Sequence, residues 1–281
     1  MAASMTPLAT PPTTPPIATP LLRITRHGRV LTVTMSRAPV NALNDELIAQ
    51  LDAAADLAIA DDGVSVLHIR SDQRAFSAGA DLALIRSCFE TPEGPDAMTE
   101  VVRHMQRLYD KLEAAPLVTL AEIGATAFGG GLELALACDL RVAAREVKLG
   151  LPEAGLGLLP GAGGTQRLTR LVGPGVAKRM ILGAEVIDGA EAERIGIVQW
   201  AQPLAQLASW TSALATRYAA MPKAALAANK RCIAAATDCA RDGYAEEIAE
   251  TRTLYDHPDT RRRVVAFLAR DAAKHSKEST P

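Results

Sequence analysis

Apolar runs rich in β-branched residues alternate with segments of helical periodicity along the first half of the chain. Three such runs, at residues 29–35, 64–70 and 117–123, predict strands. Two amphipathic segments, at residues 44–60 and 98–114, predict helices, and the first begins at an asparagine that can cap it. Strands that alternate with helices in this way predict an α/β fold in which crossover helices connect the strands.

The second half of the chain, from residue 165 onward, has helical periodicity almost throughout. The first 20 residues are instead rich in proline, threonine and alanine, a composition typical of a disordered leader. The sequence therefore predicts three parts: a leader at residues 1–20, an α/β core at residues 21–200 and a helical region at residues 201–281. Between the early helices, residues 87–97 contain two prolines and a glycine, which predicts a mobile loop.

Charge and cysteine content narrow the classes of function. The chain has 30 basic and 32 acidic residues, a net charge of −2, which provides no basic surface for nucleic acid or for anionic lipid. None of its apolar runs reaches the length of a membrane span. The four cysteines form no metal-type pair, as is usual for free thiols in a reducing compartment. We expect a cytoplasmic protein with no metal site, no nucleic-acid partner and no membrane contact.

A glycine-rich stretch at residues 127–139 has the pattern of a loop that opens into a buried helix. The first N–H groups of a helix have no partner within it, so the junction at Gly129, Gly130 and Gly131 is suited to hold a developing oxyanion. Glu133 lies one turn inside this helix. The alternative is that the glycines only permit close packing and that Glu133 is solvated.

Two other segments carry similar chemistry. The small-residue loop at residues 75–82 is a second place where bare amides can face a ligand, although a tight strand-to-helix connection explains it equally well. Twenty positions after Glu133, Pro152 and Glu153 bring a second carboxylate. The glycine-rich loop at residues 155–167 has neither the lysine of a P-loop nor the spacing of a dinucleotide-binding loop, which argues against a nucleotide site.

Five motifs occur in one order along the chain. They are Val-Asn-Ala-Leu-Asn at 40–44, Phe-Ser-Ala-Gly-Ala-Asp-Leu at 76–82, Gly-Gly-Gly-Leu-Glu at 129–133, Pro-Glu at 152–153 and Leu-Pro-Gly-Ala-Gly-Gly-Thr-Gln-Arg-Leu at 159–168. Together they resemble the enoyl-CoA hydratase/isomerase (crotonase) superfamily, and within it the enoyl-CoA hydratases. The resemblance extends over about residues 22–270. It implies a spiral of ββα units with a C-terminal helical trimerisation region, assembled as a homotrimer or a dimer of trimers.

The resemblance also implies roles for individual residues. The oxyanion hole falls on the amides of Ala78 and Gly130, and the acid/base carboxylates fall on Glu133 and Glu153. No separate cofactor is implied, because coenzyme A enters as part of an acyl-CoA substrate. The implied substrate contacts are Arg37, Val40, Ala42, Leu43, Ala78, Gly79, Ala80, Asp81, Leu82 and Gly130, together with Phe267 and Arg270 from a neighbouring subunit.

Hydration of a 2,3 double bond explains why these residue types occur together. Negative charge develops on the thioester oxygen, where two amides stabilise it, while a base and an acid are needed to take a proton from water and deliver one to carbon. Two carboxylates in one dry pocket also resist ionising together, so one pKa should be raised. A double-bond isomerase or another acyl-CoA enzyme of the same fold is the alternative, and an RNA- or protein-binding homologue without activity is a third possibility.

Overall fold

The computed structural model describes the backbone of residues 14–278 and the side chains of residues 18–270. Its strands are β1 (Thr14–Ala18), β2 (Leu22–His27), β3 (Val30–Met35), β4 (Val66–Ser71), β5 (Ala75–Ser77), β6 (Val118–Ile123), β7 (Thr126–Phe128), β8 (Leu140–Ala144), β9 (Lys148–Gly150), β10 (Val186–Asp188) and β11 (Trp200–Gln202). Its helices are α1 (Asp45–Ala60), α2 (Leu82–Ser87), α3 (Gly94–Ala114), α4 (Gly130–Ala137), α5 (Gly164–Leu182), α6 (Gly189–Arg194), α7 (Leu204–Ala219), α8 (Lys223–Ala235), α9 (Gly243–Asp256) and α10 (Pro258–Glu278), with a 3-10 helix at Pro152–Leu156.

Two sheets form the α/β part of the chain. The larger has the order β1-β2-β3-β4-β6-β8-β11, antiparallel through β3 and parallel from there onward. The smaller has the order β10-β9-β7-β5, in which β5, β7 and β9 are parallel. The order confirms the α/β prediction. Both β5 and β7 run straight into the two glycine-containing loops, so the smaller sheet brings those loops side by side.

The core lies between the larger sheet and the helices α1 and α3. Leu67 and Ile69 of β4 face Leu51 of α1 and Leu108 of α3, and all four side chains are buried. The predicted cap of α1 is confirmed, because Asn44 Oδ1 accepts a 3.0 Å hydrogen bond from the Leu47 amide. On the other face of the sheet, α7 packs against β4, β6 and β8.

Two expectations are corrected by the structure. The leader predicted over residues 1–20 is wrong at its end, because residues 14–18 form β1, an edge strand whose pairing with β2 is irregular between Thr14 and Ile17, where its two prolines lie. Residues 1–13 lie outside the described residues. The loop predicted at residues 87–97 is shorter, since α3 begins at Gly94 with a proline in its first turn. Three-residue strands such as β5, β7 and β11 are too short to show a sequence period.

The chain divides into two compact units that meet at Ala220 and Met221. The helices α7 to α10 follow β11 from Leu204 onward, and α7 packs on the sheet of the first unit. In the second unit, α9 contacts both α8 and α10, and Arg231 of α8 pairs with Glu250 of α9 at 2.5 Å. None of the described helices is long and apolar enough to cross a membrane.

Asn41 anchors the segment between β3 and α1. Its side chain is fully buried, its Oδ1 accepts a 2.8 Å hydrogen bond from the Arg37 amide, and its Nδ2 donates to Ser71 Oγ at 2.7 Å and Phe76 O at 3.1 Å. Its φ of 49° is in the left-handed region, which asparagine tolerates better than most residues. One side chain thus ties residues 37–41 to the ends of β4 and β5.

Replacing this asparagine tests how strongly the segment is anchored. We expect Asn41→Ala to lower the free energy of unfolding by about 3 kcal/mol, because buried partners lose their hydrogen bonds and alanine is strained at this φ. Asn44→Ala is the matched comparison, since it removes one cap and should cost about 1 kcal/mol. Urea unfolding followed by circular dichroism measures both. Equal losses would show that Asn41 does not anchor the segment.

Candidate active site

A cavity of about 490 Å³ lies in the first unit, where β5 and β7 end. Main chain from residues 78–80 and 129–130 forms one side of it, and the carboxylates of Glu133 and Glu153 lie at the same end. Apolar side chains of α2, α3 and the segment after the 3-10 helix form the rest of the wall. The structure therefore brings together the two loops and the two glutamates that the sequence singled out.

The predicted loop-to-helix junction is confirmed at Gly129 and Gly130. Gly129 has a φ of 50°, and α4 begins at the next residue. A Cβ on Gly129 would lie 2.7 Å from Glu153 Oε1, and one on Gly131 would lie 2.4 Å from Ser77 O. Side chains are thus excluded by close approach on both sides. In the described residues, the Gly130 N–H has no acceptor, as expected for the first residue of a helix.

The amides of the second loop are not equivalent. Ala78 N–H donates to Val40 O at 3.0 Å, Gly79 N–H donates to Ser77 Oγ at 3.2 Å, and Asp81 N–H donates to Leu43 O at 2.9 Å. Among residues 78–81 of the described chain, only the Ala80 N–H has no acceptor. The assignment of Ala78 as an oxyanion donor is therefore wrong in this structure, because its amide is already bonded within the protein.

The main-chain pairing of this loop with Leu43 explains why the Ala80 N–H has no acceptor among the described residues. Leu43 N–H donates to Gly79 O at 2.8 Å and Leu43 O accepts from Asp81, so Leu43 holds the residues on either side of Ala80. Since successive residues of an extended chain turn their N–H groups to opposite sides, the Ala80 amide faces away from Leu43. A Cβ on Gly79 would lie 3.5 Å from Gly130 N, which places this loop against the start of α4.

Glu133 is the more deeply buried of the two carboxylates. Its side chain is 2% exposed, and its Oε1 accepts a 2.7 Å hydrogen bond from the Gly164 N–H at the start of α5. Burial and the nearby charge of Glu153 together raise the pKa of Glu133 to about 7, against the lowering effect of the Gly164 and Ala162 amides and of Arg167. This carboxyl group is therefore partly protonated at neutral pH.

Glu153 lies on the 3-10 helix and faces the same end of the cavity. Its Oε2 is buried and has no hydrogen-bond donor in the part of the chain that the structure describes. Burial raises the pKa of this carboxyl group as well. No lysine, arginine or histidine lies among the described residues that line the cavity, so the pair is not neutralised there by a cation.

Three residues that sequence reasoning missed support this arrangement. The buried Tyr109 hydroxyl donates to Gly130 O at 2.8 Å, and Gly164 bonds Glu133 as described above. Arg167, which is 6% exposed, pairs with Glu113 at 2.9 Å and donates to Ala162 O at 3.2 Å, thereby linking α3 to the start of α5. The helical period of α3 indicated that Tyr109 is buried, but a period does not reveal its partner.

The residues proposed for substrate binding have mixed positions. Arg37 Nη1 donates to Ala42 O at 2.9 Å, and Arg37 Nη2 pairs with Asp81 Oδ2 at 2.6 Å. Asp81 also caps α2 by accepting from Ala83 N at 2.8 Å, which together with Arg37 lowers the pKa of this carboxyl group. The guanidinium and this carboxylate thus fasten the loop to α2.

The remaining predicted contacts fall in three places. Val40 and Leu43 take part through the main-chain bonds given above, and the Leu43 side chain is buried near Gly130. Leu82 is 74% exposed at the rim of the cavity. Phe267 and Arg270 are exposed on α10 of the second unit, so the described first unit forms the cavity without them.

The pKa of Glu133 predicts a pH-dependent stability. A carboxyl group with a raised pKa contributes stability that is full below pH 4.5 and is lost as the pH rises through about 7. From pH 5 to pH 8, we expect wild type to lose about 3 kcal/mol of unfolding free energy relative to Glu133→Gln. Urea unfolding at both pH values measures it, with exposed Glu100→Gln as the control that follows wild type. Parallel curves for wild type and Glu133→Gln would contradict the raised pKa.

Known proteins are similar to this chain in sequence and in fold. The model of the enoyl-CoA hydratase/isomerase family matches residues 25–276. The 2,3-dehydroadipyl-CoA hydratase of Escherichia coli (strain K12) is 35% identical over 249 residues, 88% of this chain and 95% of that protein. The structure of Pseudomonas aeruginosa DspI has a TM-score of 0.84 at 35% identity, covering 90% of this chain and 95% of that one. The enoyl-CoA hydratase of Bacillus anthracis has a TM-score of 0.82 at 28% identity, covering 89% and 96%. The chain therefore belongs to the enoyl-CoA hydratase/isomerase family and has the crotonase-like α/β fold that its motifs predicted.

Proposed function

We propose that this protein hydrates the 2,3 double bond of enoyl-CoA thioesters. The observation that carries the proposal is the placement of a buried carboxylate, a half-buried one and two amides without acceptors among the described residues at one end of an apolar cavity. Within the family, an isomerase needs only one carboxylate to move a proton between two carbons. A second carboxylate at the same place has a use in hydration, where water must be deprotonated while carbon is protonated.

The amides of Ala80 and Gly130 would receive the thioester oxygen. Neither N–H group has an acceptor among the described residues, so none of the hydrogen bonds seen there has to break when substrate arrives. As water adds to the double bond, the thioester becomes an enolate and its oxygen gains negative charge. Donors that are fixed before the reaction stabilise this charge without reorganising, and one such donor is worth about 3 kcal/mol of barrier.

Glu133 and Glu153 would handle the protons. Burial raises the pKa of both carboxyl groups, so the pair resists losing both protons at neutral pH. One carboxyl group then stays protonated while the other is ionised. The ionised member can take a proton from water, and the protonated member can deliver one to the α-carbon. The Gly164 N–H holds Oε1 of Glu133 by a 2.7 Å hydrogen bond and so fixes the orientation of this carboxyl group.

The second unit supports a proposal for assembly. The helices α9 and α10 expose large apolar side chains, among them Ile248, Tyr255, Val265, Phe267 and Leu268. Exposed apolar surface of this kind commonly marks an interface between subunits. We infer a homotrimer or a dimer of trimers, in which Phe267 and Arg270 reach a neighbouring subunit's coenzyme. Light scattering should give three or six times the chain mass of 29.6 kDa, and a monomer would contradict it.

Activity and product analysis test the proposed reaction. With 2-enoyl-CoA substrates of several chain lengths, we expect loss of the conjugated thioester absorbance and a product heavier by one water. Glu133→Gln and Glu153→Gln should each lower kcat by at least about 100-fold, because each removes a positioned acid or base. Glu100→Gln, on the exposed face of α3, is the control. A product of unchanged mass would favour the isomerase, and near-normal kcat in either variant would exclude a two-carboxylate mechanism.

Replacing single amides by esters tests which loop residue donates to the oxyanion. Lactic acid incorporated in place of Ala80 removes one N–H and leaves the side chain unchanged. We expect kcat to fall by about 100- to 1,000-fold without a large change in stability, because that N–H bonds only the substrate. The same replacement at Ala78 should lower stability by about 1 kcal/mol, since it removes the bond to Val40 O. A large kcat loss at Ala78 and none at Ala80 would reverse the assignment.

A further inference from the structure

The wall of the cavity continues away from the reacting groups along α3. Met105 begins this wall, because its Cε is 2.6 Å from the position that a Cβ on Gly130 would take. Val102, Thr99, Met98 and Pro95 follow toward the start of the helix and line the same cavity. The rise of an α-helix places Pro95 about 15 Å from Met105 along the axis.

Apolar side chains of the other walls are exposed to an unusual degree. Leu82 and Phe89, at either end of α2, are 74% and 80% exposed, and Leu156 and Leu159, by the 3-10 helix, are 70% and 66% exposed. All four line the cavity. Contiguous apolar surface of this extent on a folded chain marks a place where a ligand or partner binds. Because the strip is continuous with the reacting groups, its natural occupant is the acyl chain of the substrate.

The charged side chains that line this cavity in the described residues are both carboxylates. The only ionisable carboxylates or cations that line the cavity in the described residues are Glu133 and Glu153. Arg86 of α2 and Arg103 of α3 are 84% and 55% exposed and pair with glutamates on their own helices or just after them. Neither arginine lines the cavity. A second carboxylate on the substrate would therefore lie against apolar side chains, gain no cation from the described lining and be repelled by Glu133 and Glu153, which is unfavourable.

We infer that the acyl group bound here is uncharged and apolar along its whole length, with about eight to twelve carbons, and that acyl groups ending in a carboxylate are excluded. An extended chain advances roughly 1.2 Å per bond, so the 15 Å wall of α3 matches about twelve bonds. The end of a six-carbon acyl group lies about 6 Å from the thioester carbon, close to Val102. The inference depends on the proposed function for the position of the thioester.

A matched pair of substrates tests the exclusion. 2-Hexenoyl-CoA and 2,3-dehydroadipyl-CoA have six-carbon acyl groups and differ at the end, where a methyl group is replaced by a carboxylate. We expect kcat/KM to be at least about 100-fold lower for dehydroadipyl-CoA, and to rise at least about tenfold from the four-carbon to the eight-carbon enoyl-CoA as methylenes are buried. Values within threefold for the six-carbon pair would overturn the inference.

Two variants of Val102 test whether the end of a six-carbon acyl group lies beside this residue. Val102→Lys places an ammonium group beside the expected position of the second carboxylate, and Val102→Gln adds a side chain of similar length without charge. We expect Val102→Lys to raise the dehydroadipyl-to-hexenoyl ratio of kcat/KM at least about tenfold, and Val102→Gln to keep the wild-type ratio. Equal ratios in both variants would contradict the placement of the acyl chain. If Val102→Lys fails to fold by circular dichroism, Thr99→Lys on the same wall replaces it.

Binding separates this inference from the proposed reaction. Calorimetry with saturated hexanoyl-CoA and adipoyl-CoA measures the same charge difference in the absence of chemistry. Tighter binding of hexanoyl-CoA by at least about tenfold would support the inference even if no enoyl-CoA were hydrated, which would overturn the proposed function alone. Hydration of hexenoyl-CoA with equal binding of both saturated analogues would overturn the inference alone.

Discussion

The site depends first on the main-chain pairing of Leu43 with Gly79 and Asp81. This pairing holds both neighbours of Ala80 and leaves its amide without an internal acceptor. Asn41, two residues before Leu43, is buried among oxygens of β4 and β5 and fixes the segment that supplies the pairing. This geometry needs no functional side chain at residue 80. In the proposed reaction the working group is a backbone N–H, which the fold holds in place without bonding it among the described residues.

The second constraint is electrostatic. One buried and one half-buried carboxylate share a cavity whose described lining contains no cation, and burial raises the pKa of both. The pKa of Glu133 is lowered in turn by the amides of Gly164 and Ala162 and by the charge of Arg167, which lies outside the cavity and holds α5 to α3. A carboxyl group with a raised pKa, such as that of Glu133, lowers the free energy of unfolding once it ionises. The proposed acid/base role would therefore reduce stability at this site. The same lack of cations makes the apolar wall unsuitable for a substrate with a second negative charge.

Features that depend on local sequence were predictable. The cap of α1 at Asn44, the junction at Gly129 and Gly130, and the meeting of Glu133 with Glu153 all followed from residue type, spacing or motif, and the structure confirms them. Two kinds of feature were not predictable. Strands of three residues are too short to show a period, and β1 exists because β2 offers it an edge. The second kind is the hydrogen-bond acceptor of a given main-chain amide, because that acceptor lies far away in sequence.

The sequence by itself determined the family, the α/β class and the two loops and two glutamates that form the site, because motifs and periodicity are local properties of the chain. Only the tertiary structure decided whether the main-chain N–H of Ala78 or that of Ala80 remains available to a ligand. Both are small residues in one loop, and nothing in their type distinguishes them. The Ala78 N–H donates to Val40 O, whereas the Ala80 N–H has no acceptor among the described residues. A hydrogen bond between distant segments, and not the residue type, therefore decides which N–H remains available to a ligand.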